Sequence, residues 1–102
     1  MVLEDIFEIR NLLYSYCWLI DSGDFEGVAE LLKDADISYG GKLTYPRGSG
    51  TYIQSLQPIK RYKDGTTKTV HMCIDPIIDV AEDGCTATAK SYTVVLQGIT
   101  KK

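Results

Sequence analysis

Thr69 to Ala81 (TVHMCIDPIIDVA) and Cys85 to Gln97 (CTATAKSYTVVLQ) flank the tripeptide Glu82-Asp83-Gly84. Both runs are rich in β-branched and aromatic residues, and the short linker contains a glycine. This pattern predicts an antiparallel β-hairpin. The second run sets Thr88, Lys90, Tyr92, Val94 and Leu96 against Ala87, Ala89, Ser91, Thr93 and Val95. Apolar side chains fall on both faces towards its end, as in a strand covered on both sides. Pro76 has no N–H to give to a ladder, so it predicts a bulge or an edge in the first strand.

Upstream of the hairpin, apolar residues recur at Ile6, Ile9, Leu13, Tyr16, Cys17 and Ile20, the spacing of an amphipathic helix over residues 3–21. Leu12 and Leu19 widen the stripe and predict cover on more than one side. Glu4 and Asp5 occupy the first turn, where the helix dipole favours negative charge. Ser22, Gly23 and Asp24 supply a stop and a cap for a second helix running to about Lys33, with Phe25, Val28, Leu31 and Leu32 inward. So short a connection predicts a helical hairpin. Ile37 to Tyr39 and Leu43 to Tyr45 read as strand pieces around Gly40-Gly41, which permit a turn or a bulge. Pro46 to Gly50 is a loop. Residues 51–62 have a helical pattern (Tyr52, Ile53, Leu56, Ile59), and Pro58 predicts an end or a kink near Gln57.

The bulk properties bound the function. A chain of 102 residues has room for one core, and a single domain over 1–102 is expected. Net charge is −3, and the cations are scattered apart from Lys60-Arg61, Lys63 and Lys101-Lys102. No basic stripe for nucleic acid is present, and no apolar run is long enough for a membrane span. The amino terminus is acidic and lacks a small-residue cleavage site, unlike a signal peptide. Cys17, Cys73 and Cys85 are an odd count without metal-type spacing, which predicts reduced thiols in a cytoplasmic protein.

Three segments carry a family likeness: Glu8 to Glu26 (EIRNLLYSYCWLIDSGDFE), Asp64 to His71 (DGTTKTVH) and Ala87 to Gln97 (ATAKSYTVVLQ). Together they resemble the SnoaL-like group of the nuclear-transport-factor-2-like superfamily, with polyketide cyclases as near kin and scytalone dehydratase and ketosteroid isomerase more distant. The likeness implies an α+β cone, in which a helix hairpin and a short third helix pack on a curved antiparallel sheet around an apolar pocket. Members usually continue for two more strands after the equivalent of Gln97, so the sequence reads as lacking the last strands.

In dehydratase-type sites of this superfamily, an aspartate ending the first helix orients a histidine on a central strand, and a tyrosine of the first strand reaches the substrate oxygen. Carried over, these positions are Asp21, His71 and Tyr39 as catalytic residues. Histidine titrates near neutral pH and can take a proton from a carbon beside a carbonyl. A carboxylate on its other nitrogen fixes the tautomer, and a phenol donates to the developing enolate oxygen. Two positions depart from that pattern: the dehydratase's second histidine falls at Tyr92 or Ser91, and its helix-one tyrosine at Ile20. Tyr16, Ile20, Cys73 and Tyr92 are the expected ligand-binding residues. The resemblance implies a cofactor-free site and a hydrophobic small molecule as ligand; the residue spacing implies no metal, and the charge and hydropathy patterns imply neither nucleic acid nor membrane as partner. The open side of the second strand predicts a homodimer through the sheet. The competing readings are a non-catalytic binding or dimerisation module and a truncated, mobile-element-derived protein without settled activity.

Overall fold

The computed structural model describes residues 2–48 and 51–98, with backbone only at 51–53. Ser49 and Gly50 of the expected loop, the side chains of Tyr52 and Ile53, and the terminal lysine pair lie outside the described residues. The elements in chain order are α1 (Val2–Asp21), α2 (Phe25–Leu31), β1 (Ile37–Tyr39), β2 (Lys42–Tyr45), α3 (Thr51–Leu56), β3 (Thr69–Val80) and β4 (Ala87–Gln97). The chain is α+β, as its patterning predicts. It gathers into two compact units: residues up to Trp18 together with those from Lys68 onward, and Leu19 to Thr67.

In the first unit, β3 and β4 pair antiparallel from Thr69↔Gln97 to Val80↔Ala87. The turn closes with the Ala81 N–H donating to the Thr86 carbonyl at 2.9 Å and the Cys85 N–H to the Asp83 carboxylate at 2.9 Å. The interruption expected at Pro76 is present: the register shifts between Ile74 and Ile77. Asp75 takes up the extra residue at φ +52°, a conformation aspartate tolerates better than branched side chains do. The α1 stripe of Ile6, Ile9, Leu13, Tyr16 and Cys17 is half-buried throughout. Of the two residues expected to widen that stripe, Leu19 is half-buried and Leu12 is exposed. Leu3, Phe7, Tyr14 and Trp18 form a separate exposed line along the same helix, at spacings that bring them to one face.

Among the described residues, the second unit holds the buried side chains Ile20, Phe25, Val28, Leu56 and Thr67. Asp24 caps α2, its carboxylate accepting from the Gly27 N–H at 2.9 Å. The helix ends at Leu31, two residues short of the predicted limit. Gly23 is the pivot between α1 and α2. Its φ is +76°, and a Cβ there would run into the Gly65 carbonyl oxygen, so only glycine fits. Thr67 is buried and ties the end of α1 in place, its hydroxyl donating to the Ile20 carbonyl at 3.2 Å and its N–H to that of Asp21 at 3.4 Å. Gly40 and Gly41 make the β1–β2 turn, both at positive φ. The bulge lies instead on β2, where Thr44 is passed over between Ile37↔Tyr45 and Ser38↔Leu43. α3 stops at Leu56, two residues before Pro58, because the residue preceding a proline avoids the helical region.

Candidate functional site

His71 lies on β3, half-buried, opposite Val95 of β4. Residues directly opposite each other in an antiparallel ladder share a face, and the faces alternate along each strand. His71, Cys73, Thr93 and Val95 therefore stand on one face. Tyr16 of α1 meets the His71 ring edge-on, with centroids 6.3 Å apart and planes at 63°. This contact brings together two of the residues singled out in the sequence, and Cys73 is half-buried on the same face. The imidazole thus lies against a phenol ring, with a thiol on the same strand face.

Tyr92 is placed differently. It pairs with Ile74, on the face opposite to His71 and Cys73, and is 74% exposed. The register set by the bulge decides this: one residue of slip would have turned Tyr92 to the other side. Asp75 is exposed in the bulge and does not continue the His71 face.

Three further predicted positions belong to the second unit. Asp21 is the last residue of α1, half-buried, with its backbone carbonyl held by Thr67. Ile20 belongs to the core of that unit rather than to an open wall. Tyr39 is exposed on β1, and its ring packs edge-on against Tyr45 at 6.1 Å and 87°.

Two recesses lie away from these residues. One, of about 170 Å³, is bordered by Asp5, Glu8 and Ile9 of α1 and by the hairpin turn at Cys85. The other, of about 590 Å³, is a groove of the second unit that holds Asp24, Glu26, Gln57 and Arg61 beside Phe25 and Ile59. Arg61 is engaged there. Its guanidinium sits 4.8 Å over the Phe25 ring and donates to the Gly23 carbonyl at 3.3 Å. The sequence signal for this groove is the basic run at Lys60-Arg61, which stands apart from the otherwise scattered cations. Among the described residues no cluster of three or more His, Cys, Asp or Glu could hold a metal ion. None of the three cysteines forms a disulfide, and no described helix is long and apolar enough to cross a membrane.

No curated protein and no solved structure matches the chain. A family does match: residues 1–102 fit the SnoaL-like domain, and the chain belongs to that family, within the nuclear-transport-factor-2-like superfamily.

Proposed function

We propose that this SnoaL-like chain binds hydrophobic carbonyl compounds and moves a proton on them, as a cofactor-free cyclase, isomerase or dehydratase does. The observation that supports this most directly is His71, half-buried on β3 and in edge contact with Tyr16. In this reading a neutral His71 takes the proton from the carbon beside the carbonyl. Tyr39 donates to the enolate oxygen, and Asp21 orients the imidazole. Tyr16, Cys73 and Ile20 flank the ligand. The assignments of Asp21, Tyr39 and Ile20 rest on family resemblance and residue chemistry. Tyr92, which faces the other way, is left to another role. The protein acts in the cytoplasm with its thiols reduced, and it pairs with a second copy through its sheet. All eleven residues of β4 are exposed in the single chain, in keeping with such a pairing.

The test uses α-tetralone, a bicyclic aryl ketone, in deuterated buffer. Amide and side-chain chemical shifts report binding, and proton spectra of the ketone report exchange at its α carbon. Shift changes at Tyr16, His71 and Cys73, with exchange that His71→Gln abolishes and Tyr39→Phe slows, support the proposal. Binding without exchange would reduce it to the non-catalytic module. Absence of both, across a panel of aryl and polycyclic ketones, would sink it.

A further inference from the structure

The groove of the second unit carries charges that the chain itself does not neutralise. It encloses about 590 Å³, within the usual size of a small-molecule site, and its lining residues all belong to that unit. Arg61 lines it together with Asp24 and Glu26, yet among the described residues no ion pair joins the guanidinium to either carboxylate. The cation is nevertheless held in place. Its guanidinium lies 4.8 Å over the Phe25 ring and donates through Nη1 to the Gly23 carbonyl at 3.3 Å. Gly23 and Phe25 are both buried, so the anchors belong to the packed body of the unit. This one bond uses only part of arginine's forked set of donors, and the rest are left for a ligand.

The two carboxylates differ. Asp24 is committed to capping α2 through the Gly27 N–H. Glu26 is exposed, and among the described residues it forms neither an ion pair nor a side-chain hydrogen bond. Gln57 adds an exposed amide to the groove, and Ile59 adds an apolar surface that is 40% exposed.

The charges select the ligand. A simple anion satisfies Arg61 but meets two carboxylates. A simple cation satisfies Glu26 but meets the guanidinium. A wholly apolar molecule strips water from all three charges and returns no hydrogen bond. A molecule with a carboxylate and an ammonium a few bonds apart answers both signs at once. We propose that this groove is a binding site for a free α-amino acid with an aliphatic side chain. The ligand carboxylate accepts from the unused donors of Arg61, and its ammonium donates to Glu26, with the charge of Asp24 adding to the attraction. The aliphatic side chain lies on Ile59. Because Arg61 is anchored before the ligand arrives, little of its side-chain freedom remains to be lost on binding. His71 takes no part, so this site stands or falls independently of the proton-transfer reading.

L-Leucine and its two truncated forms test the assignment: isoamylamine lacks the carboxylate, and isocaproate lacks the ammonium. NMR titration of the full chain follows the Arg61 side chain and the Gln57 amide, with circular dichroism confirming that each variant folds. L-Leucine should bind with a dissociation constant on the order of 1 mM, as suits a small ligand in an open groove. Each truncated compound should bind about tenfold more weakly or worse. Glu26→Gln should weaken L-leucine about tenfold and strengthen isocaproate, because one repelling carboxylate is gone. Arg61→Gln should weaken L-leucine by at least about tenfold and strengthen isoamylamine. These opposite changes in preference are not produced by a merely structural role for either residue. Arg61→Gln also removes the contact with Phe25; should that variant fail to fold, Glu26→Gln decides alone, since its side chain is exposed and unengaged. Equal binding of the three compounds, or no L-leucine binding at about ten times the expected constant, would overturn the site. L-Leucine binding that Glu26→Gln leaves unchanged would overturn it as well.

Discussion

Replacing Gly23 by alanine isolates a single backbone contact, because Gly65 offers a matched control. Both glycines sit at positive φ, +76° and +87°. At Gly65 a Cβ meets nothing within 4 Å, so Gly65→Ala carries only the left-handed backbone penalty, about 1 kcal/mol, partly offset by a less flexible unfolded chain. At Gly23 the added Cβ lands on the Gly65 carbonyl oxygen, and Arg61 Cδ is next at 3.2 Å. The oxygen belongs to a turn held by the Tyr62 N–H to the Thr66 carbonyl at 2.8 Å and the Gly65 N–H to the Tyr62 carbonyl at 2.9 Å. No rotamer change relieves that overlap; the turn itself must move. Overpacking of this kind adds about 1–3 kcal/mol to the backbone term, for a total of about 2–4 kcal/mol. For a domain of this size that lowers the melting temperature by roughly 10–25 °C. Urea and thermal unfolding followed by circular dichroism, on both variants in parallel, give the comparison. Equal losses at the two sites, within about 0.5 kcal/mol, would show that the Gly23–Gly65 approach is not a structural constraint.

Other expectations follow from the second unit. Val28 is wholly buried; Val28→Ala removes two methyl groups and leaves a cavity, and chemical unfolding should show a loss of about 2–3 kcal/mol. Asp24→Ala deletes the α2 cap and should cost about 1 kcal/mol, with Asp24→Asn recovering most of it in the same assay. Thr67→Val keeps the volume and loses the hydroxyl bond to Ile20. That carbonyl still accepts from the Gly23 N–H at 3.0 Å, so the cost should stay near 1 kcal/mol and not reach that of an orphaned group. The Glu30 carboxylate accepts from Lys33 at 2.7 Å and holds its ammonium above the ordinary lysine value of 10.5. The pair's small surface contribution is therefore complete below that pH and is lost as pH rises through the elevated value. Side-chain NMR titration should show Lys33 shifting down in Glu30→Gln.

Local chemistry was enough to write most of the elements from the chain itself. The α1 stripe, the Asp24 cap, the Gly40-Gly41 turn, the end of α3 ahead of Pro58 and the bulge at Pro76 each depend on residues within a few positions of one another. Backbone propensity and periodicity act over that same range. The resemblance in Glu8 to Glu26, Asp64 to His71 and Ala87 to Gln97 was legible for the same reason, since a family likeness resides in local strings. Which side chains share a surface was a different matter. Tyr92 and His71 were grouped from the sequence, but the extra residue at Asp75 shifts the ladder and turns them to opposite faces. Leu12 had the period of a core residue and is exposed, because cover depends on what packs there from elsewhere in the chain. Gly23 read as a helix stop, yet its need for glycine comes from the carbonyl of Gly65, forty-two positions away in sequence. Asp79 and Lys90 likewise come to the same end of one face only once β3 and β4 are in register. A sequence specifies which conformations each residue accepts; ladder register and long-range packing select which residues meet, because those contacts are made between segments that carry no local record of each other.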